Sequence, residues 1–151
     1  MNTVDPTRLV VMDTDKNEVL HSYPLTRADR AYPMALDEAN HRIFIGCRKP
    51  HSVVVVDSES GKEVAGAGIP DDIDDLFYDA KRRRLYASCG AGSLAVLRQR
   101  DADHYETLET IPTVKLARTC LFDPAGDRLY LTVPRQAGEE GPSIRVYQPR
   151  P

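Results

Sequence analysis

Three stretches decide the fold: MALDEANHRIFIGC (34–47), LFYDAKRRRLYASC (76–89) and CLFDPAGDRLYLTV (120–133). Each has an apolar run, an Asp, a short polar turn, a basic residue and a second apolar run with an aromatic. The aspartates Asp37, Asp79 and Asp123 are 42 and 44 residues apart. Arg42, Arg84 and Arg128 follow at the fifth position, and Phe44, Tyr86 and Tyr130 at the seventh. So many shared offsets mark an internal repeat of 42–44 residues.

Working outward, each copy is followed by another β-rich run: SVVVVDSESGKEVAG (52–66), SLAVLRQR (93–100) and SIRVYQP (143–149). RLVVMDTDKNEVLHS (8–22) repeats this second element near the start, with Asp13 matching Asp57. The runs are short, β-branched and mostly alternating, and Asp-Thr-Asp-Lys-Asn and Asp-Ser-Glu-Ser-Gly are polar turns between them. No window sustains the 3.6-residue period of a helix. The unit is therefore four antiparallel strands, A to D. The reading predicts C-D strands over 8–22, a blade over 32–66, a blade over 73–108 and A-B-C strands over 118–148, thirteen strands in one domain spanning 1–151.

A four-stranded unit of this period is that of a β-propeller blade, a small sheet whose two apolar faces are buried only by neighbouring sheets. The chain resembles the YVTN-type repeat family, the YncE-like or surface-layer-type propellers. The resemblance rests on Pro33, Asp123-Pro124-Ala125-Gly126, Arg128-Leu129-Tyr130-Leu131, Val53 to Asp57, and Ser60-Gly61-Lys62-Glu63-Val64, and it spans residues 8–148. Lactonase-like, NHL and quinoprotein-like propellers share parts of the pattern. The expected fold is an all-β partial β-propeller of four-stranded antiparallel blades, about 3.5 per chain, and closable by dimerisation. Six blades per dimer follow if the last A-B pair accepts the first C-D pair of another copy. The expected partner is a second copy in a homodimer, or a complementary propeller part.

Composition narrows the function. The 151 residues carry 20 Lys+Arg against 23 Asp+Glu, a net charge of -3, which argues against a nucleic-acid binder. The longest aliphatic run is Val53 to Val56, far short of the roughly 20 residues of a membrane span. No signal-peptide pattern opens the sequence, so the expected compartment is the cytoplasm. Cys47, Cys89 and Cys120 are odd in number, without a CxxC, which points to reduced, buried thiols rather than a disulfide or zinc scaffold.

In a propeller the D-to-A and B-to-C loops share one rim. Here that rim holds the unusual loops: 23–33, 47–52, 65–75, 109–119 and 134–143. Tyr32, Asp74 and Arg118 occupy equivalent positions just before strand A, facing the channel mouth. With Arg48 and His51 they form the expected ligand-binding set. Asp71, Asp72, Asp74 and Asp75 read as a solvated loop or as cation ligands; no metal or cofactor is expected. No nucleophile–base constellation marks a catalytic residue. The favoured function is a binding or scaffold module presenting its rim to a protein or small ligand. The alternatives are a hydrolase or lactonase-like enzyme with an axial-channel site, and a non-autonomous part of a larger propeller. Whether the protein is an enzyme stays open at this level.

Overall fold

The structure is a computed structural model that describes residues 1–4, 6–138 and 141–150. Part of the predicted rim loop 134–143, residues 139 and 140, lies outside the described residues. All regular structure described is β, fourteen strands in four antiparallel sheets. The first sheet is β1 (Asn2–Val4), β2 (Thr7–Asp13) and β3 (Glu18–Pro24). The second is β4 (Asp29–Asp37), β5 (Arg42–Lys49), β6 (His51–Asp57) and β7 (Glu63–Gly68). The third is β8 (Ile73–Asp79), β9 (Arg84–Cys89), β10 (Ser93–Asp101) and β11 (His104–Pro112). The last is β12 (Cys120–Asp123), β13 (Arg128–Val133) and β14 (Ser143–Tyr147).

Two sheets are full A-B-C-D meanders, and the last is A-B-C. The first corrects the strand count. β1 pairs with β2 in the register Asn2↔Leu9 and Val4↔Thr7, so this sheet is B-C-D rather than C-D. The correction also removes the six-blade arithmetic, because each chain presents four sheets and none needs an exchanged hairpin.

The repeated turn has one physical cause. The Asp carboxylate accepts backbone N–H groups of the turn: Asp37 from Asn40, Asp79 from Arg82, Asp57 from Ser60, Asp13 from Asp15 and Lys16, and Asp123 from Ala125. Four residues after the Asp the chain turns left-handed, at Asn17 (φ 57°), His41 (55°), Gly61 (69°), Arg83 (52°) and Asp127 (54°). The same turn thus closes both A-B and C-D connections.

Alternation then puts one apolar row on each sheet face, and neighbouring sheets bury the rows between them. Leu9 packs with Ile45, Val54 and Val56 between the first and second sheets. Phe44, Val53 and Val55 pack against Leu76, Leu85 and Leu97 between the second and third. Tyr86, Leu94 and Val96 pack against Phe122, Leu129 and Leu131 between the third and fourth. The equivalent cysteines Cys47 and Cys89 are each fully buried, with Sγ directed to the carbonyl two residues before. They fill one repeated small slot and are not bonded to each other.

Polar bridges tie the same interfaces at the A-B turn end. Gln99 Nε2 reaches Asp37 Oδ2 across the second interface at 2.8 Å, and its own Oε1 accepts the Tyr78 hydroxyl at 2.6 Å. At the third, Arg82 joins Asp79 to Asp127 with a bidentate pair of 2.5 and 2.6 Å.

Candidate functional site

On the opposite rim, the site is assembled from strand ends and loops of three sheets: Tyr32 and Asp74, expected just before strand A, lie within β4 and β8, and Asp72 and Arg118 lie in loops. Arg48 is the penultimate residue of β5, so its guanidinium can reach the next sheet. Its Nε donates to the Ile73 carbonyl at 2.8 Å, Nη2 to Asp74 Oδ1 at 2.9 Å, and Nη1 lies 3.2 Å from Asp72 Oδ1. Arg118, from the loop leading into β12, comes from the other side. Its Nη1 donates to Asp72 Oδ2 at 2.6 Å, and its Nε lies 3.8 Å from Asp74 Oδ2. Two arginines and two aspartates therefore interlock, each arginine touching both carboxylates. The Asp72 contact favours the charged Arg118 still further. Tyr32 completes the group, its ring 4.1 Å beneath the Arg48 guanidinium carbon, a cation–π contact.

Backbone geometry sets this up. Asp72 is left-handed (φ 62°), and its carbonyl accepts the Gly90 N–H at 2.8 Å. Gly90 is needed there, because a Cβ would collide with Asp72 Oδ2 and crowd Arg118 Cδ. Ser88 donates to the Arg118 carbonyl, which pins the loop carrying that arginine. Below the cluster, Tyr32, Pro33, Met34, Asp74, Asp75, Leu76 and Phe77 line an open groove of about 500 Å³. Burial, with the neighbouring Asp74 charge, raises the Asp75 carboxyl above its usual range, although its Oδ2 accepts the Cys120 N–H at 2.7 Å.

Four of the five residues expected from sequence, Tyr32, Arg48, Asp74 and Arg118, thus meet in one partly exposed cluster. His51 does not join it. It pairs with Asp71 at 3.0 Å, and both side chains stay largely in solvent. The four rim aspartates divide among separate partners: Asp71 with His51, Asp72 and Asp74 with the arginines, Asp75 with a backbone donor. Among the described residues no grouping of His, Cys, Asp and Glu has the arrangement of a metal site. Asp72, Asp75 and Gly90 lie outside the ligand-binding set expected from the sequence. The signal for Asp72 was its place in the acidic run opposite the basic loops, but pairing between loops is invisible to spacing.

Fold, repeat and rim together define a partial all-β propeller of four-stranded blades. In sequence, the chain is 26% identical over 134 residues to the uncharacterised protein YncE of Salmonella typhimurium, a match covering 87% of this chain. The homology supports the YncE-like, YVTN-type resemblance carried by the repeat. The chain spans 37% of the length of these curated relatives. No family model matches it. Among solved structures, hydrazine synthase of Kuenenia stuttgartiensis superposes with a TM-score of 0.78 at 14% identity, covering 93% of this chain and 40% of that one. The Cps50 (Swd1) β-propeller domain of Myceliophteria thermophila gives 0.69 at 11%, covering 87% and 44%. At such identities the likeness shows the fold alone.

Proposed function

We propose that the chain is a binding or scaffold module whose loop-rich rim receives a protein or a small polar ligand. The observation that supports this reading is the convergence of Tyr32, Arg48, Asp72, Asp74 and Arg118 from three sheets at the head of an open groove. Paired charges held in a fixed frame offer donors and acceptors side by side, and the tyrosine adds an aromatic face. Such a site suits a ligand that carries both signs or several hydrogen-bonding groups, because it can exchange one internal ion pair for two external ones. A titration with glycine, succinate and 1,4-diaminobutane as zwitterionic, anionic and cationic probes, followed by arginine Nε–H and backbone 15N shifts, tests it. Saturable shifts centred on Arg48, Asp74 and Arg118 are expected. Shifts confined to the opposite rim, or none with any probe, would overturn the reading.

A second reading concerns the whole ring. We propose that the chain acts as part of a larger propeller, completed by another copy or by a complementary propeller part. Its span of only 37% of the YncE proteins, and 40–44% of the superposed propellers, supports this. Co-expression with a complementary propeller segment, and a shift to a joint species in size-exclusion chromatography, would test completion in general.

A further inference from the structure

Two of the three interior interfaces, those with a complete cross-strand row, show what the last sheet's outer face is built to meet. Strand pairing aligns Ala35–Phe44–Val55, Phe77–Tyr86–Val96 and Leu121–Tyr130–Val146 as the same cross-strand row in successive sheets. In the first two copies the following sheet covers the row: Phe44 and Val55 are 0% and 1% exposed, Tyr86 and Val96 4% and 7%. In the third copy nothing among the described residues covers it, and Leu121 and Val146 are 58% and 55% exposed. Ile144, equivalent to the buried Val53 and Leu94, is 64% exposed. Asp123 follows the pattern. Asp37 and Asp79 belong to bridges to the next sheet, whereas among the described residues Asp123 accepts the local Ala125 N–H and joins no such bridge.

The complementary face is on the same chain. A following sheet covers such a row with the alternate residues of its C strand, Ala95 and Leu97 in the third sheet. Their equivalents in the first sheet are Val10 and Met12, on the face opposite Leu9, with Val19 paired beside Met12 and still 60% exposed. The tail row Leu121–Tyr130–Val146 is uncharged; on the head face Arg8 lies beside Val10 and Met12, its guanidinium held against Ser22, the cross-strand partner of Val10.

We propose that the outer face of β12–β14 seats the first sheet of a second copy, and that two copies close head to tail into one ring. The proposal rests on the propeller reading above. Two arcs of four sheets give eight, within the usual range of about four to eight blades. No strand is exchanged. Each junction repeats the sheet-on-sheet packing already present three times inside the chain.

Light scattering and sedimentation at about 10 µM protein test it, with Val146→Asp on the tail face and Val19→Asp on the head face. Both side chains are exposed in the single chain, so each variant keeps its fold, checked by circular dichroism. Wild type should have twice the 16.9 kDa chain mass. Each variant should raise the dissociation constant by about 100-fold or more, as a charge is buried without a partner. An equimolar mixture should dimerise more tightly than either variant alone, because one of its two junctions is then wild type. A wild-type monomer overturns the proposal and leaves the complementary propeller part as occupant. A dimer sensitive to only one variant, or to neither, also overturns it, as does an open-ended assembly. The rim titration is independent: its failure leaves these masses unchanged, and a monomer leaves the rim shifts readable.

Discussion

Replacing Asp79 by alanine should destabilise the fold by about 3 kcal/mol, the low end of the cost of removing one partner of a buried charge pair. The carboxylate is 3% exposed. Its Oδ2 accepts the Tyr86 hydroxyl at 2.9 Å and Arg82 Nη1 at 3.0 Å, and its Oδ1 accepts the Arg82 N–H at 3.2 Å. The low end applies because Arg82 keeps its bidentate pair with Asp127 and is not left uncompensated. What is stranded is the Tyr86 hydroxyl, on a residue 4% exposed, and the turn N–H of Arg82. Tyr86→Phe alone removes one bond and leaves Asp79 satisfied by Arg82, so it should cost about 1 kcal/mol. In the double variant the hydroxyl is no longer orphaned, and the loss should fall short of the sum by about 1 kcal/mol. Urea unfolding of the four proteins closes the cycle. For a chain of this size about 3 kcal/mol corresponds to a fall in melting temperature of roughly 6–12 °C. If Asp79→Ala melts within about 2 °C of wild type, or the cycle is additive, the bridge does not hold the third interface as argued.

Acid should weaken the same interface. The Arg82 guanidinium holds Asp127 down to about 2, below its ordinary 3.8. A lowered carboxylate contributes stability that is full above the unfolded value and lost as pH falls through the folded one. Unfolding free energy should thus decline from pH 4 toward pH 2, less steeply in Arg82→Gln. Gly90→Ala should displace the Asp72 carboxylate rather than unfold the chain, since the colliding atom is a side-chain end; Arg118 Nε–H exchange should accelerate while the melting temperature falls by only a few degrees, roughly the effect of about 1 kcal/mol. Burial pushes the thiols of Cys47, Cys89 and Cys120 up to about 12; dithionitrobenzoate should label three thiols promptly in denaturant and very slowly in the folded protein at pH 8.

Local chemistry determined most of the fold. Asp13, Asp37, Asp57, Asp79 and Asp123 announce turns because a short carboxylate captures nearby backbone donors, which is a property of a few consecutive residues. Alternation around Phe44, Tyr86 and Tyr130 announces two-faced sheets for the same local reason. β1 is not legible in the sequence because three residues, Asn-Thr-Val, carry no period, and only pairing with β2 makes them a strand. The rim was half legible. Repeat equivalence pointed to Tyr32, Asp74 and Arg118, and the basic loop to Arg48. Repeat position alone could not tell that Asp72 would stand between two arginines 70 residues apart, or that His51 would turn to Asp71. Partner choice among exposed charges depends on how neighbouring sheets are rotated and stacked, and that is set by the buried rows rather than by the charges. The sequence by itself therefore determined the blade, its turns and its two apolar faces. Only the tertiary structure decided which loops and strand ends meet at the rim, and that the row buried twice within the chain lies open at Leu121 and Val146, because covering it takes another sheet rather than another residue.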